Sequence, residues 1–149
     1  MKVLIAGASG FIGGRLVRYL LEAGGVQVRV ASRIVREWPT GVEGCVTDVA
    51  RPSSLADACA GMTAVINLAS MGERACSADP NAALCVNGGG TLALAGAAAA
   101  AGVARFVQVS TSKVYGNNPS GQVTEETPCT PQSHYAITHR VAEDYATSQ

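Results

Sequence analysis

Three glycines at intervals of three residues, Gly7, Gly10 and Gly13, stand near the start of the chain in the stretch MKVLIAGASGFIGG. Each suits a different task in holding a dinucleotide. Gly7 permits a tight turn, Gly10 lets the backbone approach a pyrophosphate, and Gly13 lets a helix sit close against a strand. A helix that starts behind such a turn presents unpaired N–H groups and its positive dipole end to the phosphates. A glycine triplet alone is weak evidence, because glycine turns also serve purely structural ends. Here an apolar run over 3–6 precedes it and a helical apolar pattern begins at Phe11, which is the context that supports the dinucleotide reading. A second chemical signal lies at the end of the next strand. An acidic residue there would bind the adenosine ribose 2′-hydroxyl. This chain carries Ser32 and Arg33 instead, with Arg36 nearby and no carboxylate before Glu37. A guanidinium makes charge-assisted hydrogen bonds to phosphate oxygens, so the pattern favours NADP(H) over NAD(H). The plain alternative is that both arginines are solvated loop charges.

The elements that must position these residues follow from periodicity. Residues 2–8 read as a continuous apolar strand, the kind buried on both faces of a parallel sheet. A helix over 11–23, with Ile12, Leu16, Tyr19 and Leu20 as its apolar positions, closes at Gly24 and Gly25. Strands are expected over 26–32, within 41–48, over 64–69 and over 103–111, with helices over 55–60, 80–101 and from His134 onward. A loop rich in Asn, Pro, Gly and Thr covers 116–133. Strands alternating with helices imply right-handed crossovers. The expected fold is therefore α/β: a three-layer Rossmann arrangement with a parallel sheet of about five strands and helices on both faces. Residues 1–149 make one domain, with no linker or repeat.

Composition narrows the function classes. With 48% hydrophobic and 15% charged residues, a packed core is expected and disorder is not. Net charge is zero and no basic stripe exists, which argues against a nucleic-acid partner. Glycines at 7, 10, 13 and 14 break up what would otherwise imitate a signal peptide, and the apolar run over 92–104 is short for a bilayer and mostly alanine. No membrane association is expected. Five widely spaced cysteines without a Cys-x-x-Cys pair suggest neither a metal site nor a disulfide framework, and reduced thiols fit a cytoplasmic protein.

With the glycine triplet placed, the chain resembles the N-terminal half of the extended short-chain dehydrogenase/reductase family, the nucleotide-sugar epimerase, dehydratase and reductase group typified by UDP-glucose 4-epimerase. Residues 6–13, AGASGFIG, are similar to its TGxxGxxG, with Ala6 for the threonine. Asp48-Val49 resembles its adenine-contacting segment, and residues 67–70, NLAS, its cofactor-lining strand end. Asp79-Pro80 and residues 87–91, NGGGT, are similar to its dP…NxxGT helix start. Residues 109–116, VSTSKVYG, resemble its active-site strand, and residues 133–139, SHYAITH, fall where it has YxxxK. The resemblance implies a cofactor site of Gly7, Ser9, Gly10, Phe11, Ile12, Gly13, Ser32, Arg33, Arg36, Asp48, Val49, Leu68, Ala69, Ser70, Asn87, Tyr135 and His139. It implies Thr111, Tyr135 and His139 as the catalytic set, and hydride-transfer chemistry on a nucleotide sugar or a similar carbonyl or alcohol substrate. It also implies a homodimer built from helices over 91–101 and 135–147, where alanines permit close approach.

Two departures stand out. The YxxxK lysine is His139. In the family the lysine holds the nicotinamide ribose and its charge lowers the tyrosine pKa, ordinarily about 10. A histidine is mostly neutral at pH 7; it can hold the ribose through a ring N–H, or stand on the helix surface without a role. Secondly, the residues given match only the family's N-terminal half and stop before its C-terminal substrate lobe, as expected either of a truncated relative or of a fragment of a longer product. These departures keep two other readings open: a non-catalytic NADP(H)-binding module, sensor or scaffold, and a structural interaction domain that no longer binds cofactor.

Overall fold

The computed structural model describes residues 1–148 and places five strands in one parallel sheet. These are β1 (Lys2–Ala6), β2 (Gln27–Ser32), β3 (Val42–Val46), β4 (Ala64–Asn67) and β5 (Arg105–Gln108), in spatial order β3-β2-β1-β4-β5. The chain runs outward from β1 to β3, then crosses back to lay β4 on the other side of β1. The order therefore reverses between β1 and β4, the position at which open α/β sheets bind ligands. The register pairs Ala6 with Ala31 on one side and with Asn67 on the other, so the C-terminal ends of the central strands are level.

Alternation along β1 builds the core. Val3 and Ile5 face α1 (Phe11–Ala23), with Val17, Val28 and Val30, while Leu4 and Ala6 face the opposite layer, with Leu55, Val65, Leu94 and Ala98. That opposite layer contains α2 (Leu55–Cys59) and α5 (Gly90–Ala100). The face α1 turns inward carries Gly13, Leu16, Val17, Leu20 and Leu21, whereas Ile12 and Tyr19 are exposed. The expected apolar stripe was thus rotated: a glycine at 13 draws the helix onto the sheet along its own side.

Several boundaries differ from expectation. A short helix, α3 (Glu73–Ala78), occupies a stretch with no periodic signal long enough to reveal it. The helix expected over 80–101 consists of α4 (Pro80–Ala83), a π turn (Leu84–Gly89) and α5. Together Pro80–Ala100 has the length and apolarity of a membrane-crossing segment, yet Leu94, Ala95 and Ala98 are buried against the sheet. The fifth strand stops at Gln108, and Ser112–Tyr115 form a 3₁₀ turn. The last helix, α6 (His134–Thr147), packs on α5, the π turn, β5 and the 3₁₀ turn. Ser133 caps it, its side chain accepting from Ala136 N at 3.2 Å.

Candidate dinucleotide site

Gly7 ends β1 with φ +82°, and a Cβ there would lie 2.6 Å from the backbone of Leu68 and Ala69. Only glycine fits, both for the left-handed turn and for the contact with the end of β4. A Cβ on Gly13 would lie 2.5 Å from Gly7 O and 2.6 Å from Ala8 Cα, so the first turn of α1 rests directly on the glycine loop. Gly10 is the N-cap of α1, with its own N–H bonded to Gly7 O at 3.0 Å. No side chain caps this helix and its first turn has no acidic residue. Its leading N–H groups and positive end therefore remain available to an anion.

Beside that turn, over the reversal between β1 and β4, lies a cavity of about 600 Å³. Of the residues expected to hold the cofactor, Gly7, Ser9, Gly10, Ser32, Arg33, Asp48, Val49, Leu68, Ala69 and Ser70 line it. They come from four separate segments, and the tertiary fold brings them to one wall. Its lining also includes Met71, Gly72, Ala75, Ala82 and Val86, which the sequence reading did not single out. Their only signal was apolar or small character between two recognised segments.

Other expected residues sit elsewhere. Phe11 and Ile12 project from the start of α1 and are exposed, with the Arg15 guanidinium 3.8 Å from the Phe11 ring centroid. Gly13 is buried behind the turn. Arg36 lies outside the cavity lining and faces the Trp38 ring at 5.0 Å. Ser32 spends its hydroxyl on its own turn, donating to Ile34 O at 2.7 Å, which leaves Arg33 as the lining cation at the end of β2. Asn87 corrects the expectation of direct cofactor contact: it is buried outside the lining, and its amide is fully engaged with Met71, Thr138 and Cys76.

Thr111 caps the 3₁₀ turn, its Oγ1 accepting from Lys113 N at 3.4 Å. Lys113 in turn donates both bonds of an ion pair to Glu73 at 2.6 Å, tying this turn to α3. On α6, Tyr135 and His139 lie one turn apart with ring centroids 4.4 Å from each other. His139 is only 3% exposed, so the helix-surface reading of this residue is wrong. Burial holds its pKa below the ordinary histidine value, opposed in part by the Glu143 carboxylate. Among the described residues neither ring nitrogen has a hydrogen-bond partner, and the buried Ser110 hydroxyl beside Thr111 also lacks one. Buried polar atoms are rarely left so. The uncapped helix and the glycine turn fit a bound dinucleotide, whereas Ser110, Thr111, Tyr135 and His139 lie outside the cavity lining. Among the described residues no cluster of three His, Cys, Asp or Glu is placed to hold a metal ion.

Comparison with known proteins decides the family. The model of the NAD-dependent epimerase/dehydratase family matches residues 3–149. The chain belongs to that family. It is 33% identical over 156 residues to a dTDP-glucose 4,6-dehydratase of Streptomyces griseus, covering 90% of this chain and 45% of the relative. Among solved structures, the dTDP-glucose 4,6-dehydratase DesIV of Streptomyces venezuelae, with NAD bound, superposes with a TM-score of 0.91 at 28% identity over 99% of this chain and 51% of its own. MoeE5, in complex with UDP-glucose and NAD, superposes with a TM-score of 0.87 at 34% identity, covering 99% and 48%. The chain thus spans about half the length of the relatives it matches. In this epimerase/dehydratase chain, the five-stranded parallel sheet with its helices is that of a Rossmann fold.

Proposed function

We propose that this chain is the cofactor-binding half of a nucleotide-sugar oxidoreductase of the epimerase/dehydratase type. The carrying observation is the cavity over the β1/β4 reversal, lined by the glycine turn, Asp48 and the end of β4. The neighbours solved with NAD and with UDP-glucose support the cofactor and substrate class. A bound nicotinamide supplies a hydride acceptor or donor. In this reading Tyr135 Oη takes the proton from, or returns it to, the reacting hydroxyl or carbonyl, and Thr111 Oγ1 hydrogen-bonds the same oxygen. His139 stands at the position of the family's lysine; it lies outside the cavity lining with both ring nitrogens buried, so holding the ribose hydroxyls requires α6 to move toward the bound cofactor. Being buried and neutral, it orients without supplying the positive charge that the family's lysine would.

Arg33, lining the cavity without a neighbouring acid at the end of β2, favours the 2′-phosphorylated cofactor. A homodimer through α5 and α6 is part of the same proposal: Leu92, Ile137 and Tyr145 are exposed on these two helices. The competing reading is a non-catalytic NADP(H)-binding module, and the neutral His139 is the observation that favours it.

The test is fluorescence titration with NADPH and NADH, followed by turnover assays on nucleotide sugars. Binding of either cofactor with oxidation of a nucleotide sugar supports the enzyme. Binding without turnover, unrescued by His139→Lys, supports the module. Absence of binding overturns both. Light scattering at micromolar concentration reads the dimer, and a monomer there counts against it.

A further inference from the structure

Asn87 and Thr138 bond to each other from two different helical segments, and neither lines the cavity. Asn87 Oδ1 accepts from the backbone N–H of Met71 at 2.7 Å, and Met71 is part of the cavity wall. That contact fixes the orientation of the amide, because an N–H must meet the carbonyl oxygen. The amide nitrogen therefore donates to Thr138 Oγ1, at 2.9 Å. The Thr138 hydroxyl in turn donates to the carbonyls of His134 and Tyr135, at 2.8 and 3.1 Å. All the side chains in this path are at most 4% exposed. A continuous buried chain of hydrogen bonds thus runs from the cavity wall to the first turn of α6, where Tyr135 sits and His139 follows Thr138.

The π turn carries Asn87. It widens the helix at Asn87 and is seated between the two ends of the path. A Cβ on Gly88 would lie 3.0 Å from Val141 Cγ1 of α6, and one on Gly90 would lie 2.8 Å from Val49 Cγ2 of the cavity wall. A side chain at either position would crowd the valine opposite. π turns inside longer helices recur at functional sites for this kind of reason.

We infer that Asn87 and Thr138 are positioning residues that couple occupation of the cavity to the placement of Tyr135 and His139. The inference rests on the cavity being the dinucleotide site. A ligand that orders the Met71 segment strengthens the Met71–Asn87 bond, and the same amide then holds Thr138 and the start of α6. By reciprocity, loosening Thr138 weakens binding in the cavity.

The test uses ADP and 2′,5′-ADP, which carry no nicotinamide, and reads their affinity by calorimetry. No residue of α6 is among those lining the cavity, so a merely structural Thr138 leaves these affinities unchanged. The inference expects Thr138→Val to weaken them by about fivefold or more, Thr138→Cys to do the same, and Thr138→Ser to restore them. It also expects ADP to slow amide hydrogen exchange in the first turns of α6. A folded Thr138→Val or Thr138→Cys protein with wild-type affinity overturns the coupling, as does α6 exchange indifferent to ADP. Wild-type protein that binds neither nucleotide nor NADPH removes the cofactor reading itself, and the coupling with it.

Discussion

The rings of Tyr135 and His139 meet edge to face, with centroids 4.4 Å apart and planes inclined at 61°. The contact arises from i, i+4 spacing on α6 and puts a buried, uncharged imidazole where the family's lysine would stand. General acid–base work by a phenol benefits from a neighbouring cation. Replacing His139 with lysine restores that cation beside Tyr135. In an activity assay the His139→Lys variant is expected to shift the alkaline rise of the rate toward neutral pH by about one unit. An unchanged pH–rate profile in a folded, cofactor-binding variant refutes the role assigned to position 139.

His139 also makes stability depend on pH. Burial lowers its pKa in the folded state relative to the unfolded chain. Above the unfolded value both states are neutral and the residue contributes no slope. As pH falls through that value, about 6.5, the unfolded chain takes up a proton that the folded chain resists, so stability falls. The slope reaches at most about 1.4 kcal/mol per pH unit until His139 itself protonates. Urea denaturation at pH 7.5, 6 and 5 measures the loss, and His139→Gln is expected to flatten this part of it.

Gly13→Ala places a methyl carbon about 2.5 Å from Gly7 O, against backbone that cannot yield cheaply. Overpacking of this kind costs roughly 1–3 kcal/mol. The variant is expected to melt several degrees lower and to lose cofactor affinity, because α1 must lift from the glycine loop. A melt and an NADPH titration on the same sample give both numbers. Loss of stability with intact affinity contradicts the assigned role of the turn.

Arg33→Asp removes the cavity-lining guanidinium at the end of β2 and puts a carboxylate in its place. A charge-assisted phosphate contact contributes about 1.5–3 kcal/mol, so NADPH affinity is expected to fall at least tenfold. NADH, with a 2′-hydroxyl for the new carboxylate to accept from, is expected to hold or gain affinity. Equal losses for the two cofactors refute discrimination at this position.

Much of the fold was legible because its signals are local. The apolar run of β1 ending at Gly7, the glycine spacing into α1 and the stop at Gly24 are read from neighbouring residues. The π turn was not legible. Leu84 to Gly89 has ordinary helical residues followed by glycines, and the neighbour its Gly88 approaches, Val141, is distant in sequence. Asn87 was misread for the same reason: its position in a recognised segment suggested cofactor contact, whereas its partners, Met71 and Thr138, can be seen only when three segments are brought together.

From the amino-acid sequence alone come the alternation of strands and helices, the glycine turn, the family resemblance and the substitution of histidine for lysine at 139. These depend on residue type and spacing along one chain. Tertiary structure decided which of those residues share a cavity wall, that Arg33 rather than Arg36 lines it, and that His139 is buried with both nitrogens unpaired. Burial and hydrogen-bond partnership are set by what packs across from a residue. That is a property of the folded pairings among β4, the π turn and α6, and no local pattern encodes it.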